Sequence, residues 1–216
     1  MFQSISKSVL SLLIAYLVGS FPTAFIFGKF YKSIDIRQHG SGNVGATNAF
    51  RILGKLPGFI VLIIDVLKGL ICPTLIADFF GQDILLSRVL LAVIAVAGHN
   101  WTVFLRFKGG KGMATSLGVL IGLAIKAAIL RPVLLICLAV WVISFILSGI
   151  VSLSSIIAAV SLPILLVFFS APIELVVLGI VFCAFVVLRH RPNISRLINR
   201  EEHQIFTPPF QRKRFP

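Results

Sequence analysis

The chain has 216 residues, 58% of them hydrophobic and 12% charged, with a mean hydropathy of +1.04 and a formal net charge of +13. That balance excludes a soluble domain and calls for an integral membrane protein, whose basic residues must first be assigned to a side of the bilayer before nucleic acid is considered. Cys72, Cys137 and Cys183 stand inside apolar runs without a CxxC or His neighbour, so they read as small hydrophobes, not as disulfide or zinc ligands.

Apolar stretches at 9–28, 57–80, 84–105, 113–130, 132–149, 152–170 and 172–188 predict an all-α membrane protein, a single bundle of seven transmembrane helices. Lys7 precedes the first stretch, but "GSFPTAF" lacks a small-x-small cleavage site, so this reads as a retained span and not a secretory signal. In "IKAAILRPVLL", Lys126, Arg131 and Pro132 mark a tight turn. One membrane domain is expected over 1–200, followed by a basic, disordered cytoplasmic tail over 201–216 that ends in "TPPFQRKRFP". With seven spans, one side collects fifteen Lys and Arg and the other collects Lys7, Arg88, Lys126 and Arg131. The positive-inside rule then puts the N-terminus outside and the C-terminus in the cytoplasm.

That orientation gathers four polar segments, "GSGNVGATN", "RFKGGKG", "GIVSLSS" and "RHRPNISR", on the cytoplasmic face. In "GSGNVGATN", Gly40, Gly42 and Gly45 let backbone N–H groups turn toward one point, and Ser41, Asn43, Thr47 and Asn48 add side-chain donors. The segment suits a phosphate, although it is no GxxxxGK[ST] loop. A plain flexible turn is the alternative, and Arg51 one helical turn later weighs against it. "FKGGKGMAT" repeats the theme, with Lys108, Lys111, Gly112 and Thr115 at a helix start; the alternative is a positive-inside anchor. "RHRPNISRL" ends the last span with Arg189, His190, Arg191, Asn193 and Arg196, where His190 and Asn193 can donate to phosphate or hydroxyl oxygen. Asp65 and Lys68, i and i+3 within a span, are either a structural ion pair or a substrate contact, and His99 is equally open.

The seven carboxylates are scattered, so neither a two-metal hydrolase nor any other metal site is expected. An organic-phosphate transporter would also use basic glycine loops. It would need sites near the midplane and commonly shows internal repeats, whereas here the polar residues crowd one face.

Taken in order, "GSGNVGATN…R", "GHNWTVFLRFKGGKGMAT", "VSLSS" and "RHRPNISRL…E" resemble the acyl-phosphate:glycerol-3-phosphate acyltransferase family, PlsY, over nearly the whole chain. The resemblance implies a seven-span fold with the N-terminus outside, in a bacterial inner membrane, with a cytoplasmic active site. It also implies acyl transfer from acyl phosphate to the 1-position of glycerol 3-phosphate, giving lysophosphatidic acid and phosphate, an early step of phospholipid synthesis. By the same resemblance Gly40, Ser41, Gly42, Asn43, Gly45, Thr47 and Asn48 hold the acyl phosphate. Arg51, Lys111, Ser152, His190 and Asn193 hold glycerol 3-phosphate, and with Ser41 and Asn43 they form the catalytic set. No cofactor, no nucleic acid and no protein partner are expected; membrane lipids surround the chain.

Two positions depart from the family pattern. Thr102 replaces a common proline, and Arg200 replaces the glycine of "RLxxGxE", which puts the role of Glu202 in question. The acyl-CoA-dependent class is set aside, because no histidine is followed five positions later by aspartate, as HxxxxD requires.

Overall fold

The computed structural model describes residues 2–207, and among them the regular elements are helical. They are α1 (Phe2–Ser20), α2 (Thr23–Lys32), α3 (Ala46–Leu53), α4 (Lys55–Ile71), α5 (Ala77–Phe79), α6 (Leu85–Asn100), α7 (Met113–Lys126), α8 (Leu130–Ser148), α9 (Val151–Phe168), α10 (Ile173–Arg189) and α11 (Arg191–Ile198). Among the described residues, five helical segments are long and apolar enough to cross a membrane: Ile5–Lys32, Lys55–Phe79, Leu85–Leu105, Leu130–Ser148 and Val151–Phe168. A sixth is added if α10 and α11, bent by 63°, count as one. The stretch at 113–130 yields α7, whose 14 residues rise only about 21 Å against a hydrocarbon core of about 30 Å.

The chain divides into two compact units between Ala128 and Ile129. In the first, α1 packs on α6 and α4 on α7. Gly69 faces the Thr115 carbonyl and Gly118 the Val66 carbonyl, so close that a methyl at either would overlap the partner backbone. Small residues bring helix backbones together in this way where lipid offers no hydrophobic drive. Pro73 has no N–H for the i→i−4 ladder, and the helix widens into a π-helical turn over Cys72–Ile76 before continuing as α5. Arg88 Nη1 donates to the Pro73 carbonyl at 2.8 Å, and its Nη2 pairs with Asp78 at 2.6 Å.

The second span does not begin directly after the glycine loop. A separate amphipathic helix, α3, intervenes, ended by Gly54 at φ +106. In the third apolar stretch the helix stops at Asn100, and Thr102 caps a 3₁₀ turn over Val103–Leu105. Thr102 Oγ1 donates to the Ser20 carbonyl at 2.6 Å and accepts from the Phe104 N–H at 3.2 Å. Its φ of −67° is one a proline ring also imposes, so threonine fits the same backbone and adds a tie to α1.

The second unit pairs α8 with α9 and α9 with α10. Gly149, at φ +70, turns the chain between α8 and α9. Residues 201–206, expected in the free tail, instead fold back on this unit. Ile205 N–H donates to the Gly149 carbonyl at 2.8 Å, and the Phe206 ring meets Phe145 edge-on at 5.4 Å. Residues 208–216 of the expected tail lie outside the described residues.

Candidate active site

The glycine loop is built on its own backbone. Asp35 caps the 3₁₀ turn Ile36–Gln38 by accepting from Arg37 N–H at 3.0 Å, and the Arg37 guanidinium returns to the same carboxylate at 2.6 Å. That guanidinium holds the Asp35 carboxyl down at about 2. Gly40 (φ +61) and Gly42 (φ +70) then take the left-handed conformation that glycine adopts without steric cost. A Cβ on Gly40 would press into Asn48 and Ile52.

Asn48 differs from its expected role as a phosphate donor. It is buried, its Nδ2 donates to the carbonyls of Asn43 (3.0 Å), His39 (3.1 Å) and Ile36 (3.3 Å), and its Oδ1 accepts the Ser41 N–H at 3.0 Å. The amide is thus committed to folding the loop, and it shapes the cradle from behind. Ser41 and Thr47 are exposed, and Arg51, four residues after Thr47 on α3, is exposed on the same helical face. Asn43 Oδ1 is a buried acceptor without a hydrogen-bond partner among the described residues. Such an acceptor costs free energy until something fills it. Asp35 and the true task of Asn48 escape a reading of residue types, because both act on backbone groups that sequence does not place.

The second lysine-glycine segment, in the same unit, leads into α7 with Gly112 (φ +78) at its N-cap and the Ser116 N–H bonded to the Gly112 carbonyl at 2.7 Å. Lys108 is exposed and Lys111 half-buried. Asp65 and Lys68 form the buried ion pair that was one of the two sequence readings, at 2.8 Å. Among the described residues, no three His, Cys, Asp or Glu side chains gather closely enough to hold a metal ion.

In the second unit Glu202 draws two expected ligands to one oxygen. Ser152 Oγ donates to Oε1 at 2.8 Å and Asn193 Nδ2 to the same atom at 2.5 Å, while Arg196 Nε donates to Oε2 at 2.7 Å. His190 Nδ1 lies 2.8 Å from the Val186 carbonyl, which can only accept, so the proton sits on Nδ1. In the neutral ring Nε2 is then an acceptor, and for His190 to donate through it, as expected of the residue, requires the imidazolium. Arg200 keeps the turn its family glycine would make: it adopts φ +60, where a side chain costs roughly 1–2 kcal/mol, and Glu202 still reaches its partners.

Burial pushes the Glu202 carboxyl up, but the hydrogen bonds from Asn193, Arg196 and Ser152 outweigh it, leaving the group below its ordinary value. A depressed carboxylate contributes stability above its unfolded pKa and loses it as pH falls through the folded one. Glu202→Gln should therefore lower the melting temperature by a constant amount between pH 8 and 6. The gap should close only in acid, beneath about 4.5. A gap already closing between pH 8 and 6 would contradict the ionised clamp.

Comparison with known proteins gives these features a family. A family model described as "Glycerol-3-phosphate acyltransferase" matches residues 9–200. "Glycerol-3-phosphate acyltransferase 2" of Moorella thermoacetica is 42% identical over 197 residues, covering 91% of this chain and 97% of its own. "Glycerol-3-phosphate acyltransferase" of Endomicrobium trichonymphae is 44% identical over 197 residues, covering 91% and 95%. Crystal structures of PlsY (YgiH), an integral membrane glycerol 3-phosphate acyltransferase, are also similar. Its glycerol 3-phosphate form superposes with a TM-score of 0.83 at 38% identity, covering 93% of this chain and 96% of that one. Its lysophosphatidic acid form gives 0.80 at 37% identity, with the same coverage. With its apolar helices, its glycine loop in place and a match running from residue 9 to residue 200, the chain belongs to the glycerol-3-phosphate acyltransferase family of integral membrane proteins.

Proposed function

We propose that the protein transfers a fatty acyl group from acyl phosphate to the 1-hydroxyl of glycerol 3-phosphate, releasing lysophosphatidic acid and inorganic phosphate. The observation that carries this reading is the Gly40–Asn48 loop, folded by Asn48 so that Gly40 and Ser41 are exposed and Gly42 and Gly45 half-buried, in a chain of this family. Acyl phosphate is a mixed anhydride. The hydroxyl oxygen of the acceptor attacks the acyl carbon, the bond from that carbon to the phosphate oxygen breaks, and the hydroxyl proton leaves with the phosphate. No covalent enzyme intermediate is needed, so the protein's task is to position two phosphates and stabilise developing charge.

Gly40, Ser41, Gly42, Asn43, Gly45 and Thr47 take the acyl phosphate, with Asn48 supporting them. Arg51, Lys111, Ser152, His190 and Asn193 are the glycerol-3-phosphate ligands. Arg51 and Lys111 supply the charge that suits a phosphate dianion without a cofactor or metal, and the Ser152 oxygen, its O–H given to Glu202, can accept from a glycerol hydroxyl. The names of the relatives and the ligand named for each PlsY form support this pair of acceptor and product. We take the chain to sit in a bacterial inner membrane with seven spans; given those spans, the excess of Lys and Arg on one side supports an N-terminus outside and chemistry on the cytoplasmic face.

Purified protein given acyl phosphate and glycerol 3-phosphate in EDTA should form lysophosphatidate and inorganic phosphate one for one. Phosphate release without the acylated product, or turnover that magnesium alone restores, would overturn the reading.

A further inference from the structure

Asp65 and Lys68 lie inside α4 with side chains only 2% and 6% exposed, and ionisable groups at such depth are retained when they hold something in place. Thr23 Oγ1 donates to Asp65 Oδ1 at 2.9 Å, and Lys68 Nζ donates to the Phe21 carbonyl at 2.9 Å, so the pair ties α4 to the junction of α1 and α2. A third group approaches the same carboxylate oxygen: His99 Nδ1, at 3.9 Å, from the last turn of α6.

The opposite edge of that ring faces the lysine-glycine segment. Gly110 sits so tightly on His99 Nε2 that a methyl there would overlap it, and the Gly110 N–H donates to the His99 carbonyl at 3.0 Å. The Gly109 N–H donates to the Asn100 carbonyl at 3.1 Å, and a Cβ on Gly109 would strike the His99 carbonyl. The segment carrying Lys111 thus lies flat on His99 and Asn100. The His99 ring is the spacer between it and Asp65.

We propose that His99 is a positioning residue: braced by the buried Asp65–Lys68 pair, it sets the height of the Gly109–Gly112 segment and so the reach of Lys111 toward the acceptor phosphate. The inference rests on the acceptor role of Lys111 given above. Removing the ring should let the segment sink, which weakens acceptor binding and leaves the acyl-phosphate loop untouched.

The test compares wild type with His99→Ala, His99→Gln, Gly110→Ala and the double variant His99→Ala/Gly110→Ala. Steady-state kinetics would be read beside calorimetric titration with glycerol 3-phosphate alone. His99→Ala and Gly110→Ala should each raise the glycerol-3-phosphate KM about tenfold, with the acyl-phosphate KM within about twofold. His99→Gln, which keeps the gap filled, should recover most of the loss. In the double variant the added methyl enters the vacated space, so the effects should fall well short of multiplying. A fall in kcat with both KM values unchanged would reduce His99 to a packing role, and fully multiplicative effects would break the proposed contact; either overturns the proposal. If wild type fails to use acyl phosphate, the donor assignment falls while the titration still reads acceptor binding. A wild type that binds no glycerol 3-phosphate would overturn the role of Lys111 and this inference with it.

Discussion

Asn48→Leu should cost at least about a hundredfold in turnover, although leucine nearly matches asparagine in shape. The substitution removes one acceptor and the donors to three carbonyls; the Ile36 and His39 carbonyls keep the N–H groups of His39 and Gly42, but Ser41 N–H and the Asn43 carbonyl lose their bonds to the loop. Each buried polar group left without a partner costs about 1–3 kcal/mol. Two such losses, passed to the preorganised cradle, already amount to about 2.7 kcal/mol, or a hundredfold in rate. Asn48→Asp should be no better, because its carboxylate keeps the Ser41 contact but turns acceptors toward three carbonyls. Kinetics with varied acyl phosphate check this, and activity within threefold of wild type for Asn48→Leu would contradict it.

Lys111→Ala should lower kcat/KM for glycerol 3-phosphate by roughly tenfold to a hundredfold, the equivalent of losing one charged hydrogen bond of about 1.5–3 kcal/mol. Lys7→Ala, which removes an exposed charge at the far end of α1, should stay near wild type. The same comparison made with acyl phosphate as the varied substrate should show little change. If Lys111→Ala impairs only acyl-phosphate use, the assignments of the two phosphate groups are reversed.

The helices were legible in the sequence because lipid burial requires long apolar runs, and each of the seven stretches yields a helix. What hydropathy missed is local backbone geometry. It missed the π-helical turn that Pro73 imposes, the separate α3 after the glycine loop, and the 3₁₀ turn capped by Thr102. The candidate ligands were legible as residue types, but their tasks were not. An asparagine among glycines reads as a phosphate donor until its amide is seen bonded to the loop's own carbonyls. Glu202, doubtful because Arg200 stands where the family has glycine, keeps three partners, since Arg200 accepts the glycine-like backbone. His99 gave no signal beyond its type, because its position between Asp65 and Gly110 joins residues far apart in the chain.

The most direct measurement supplies one acceptor, glycerol 3-phosphate, with three donors in turn: acyl phosphate, acyl-CoA and acyl carrier protein loaded with the same chain. Lysophosphatidate formed from acyl phosphate alone is the predicted result. Equal or faster formation from acyl-CoA or the loaded carrier protein would contradict it.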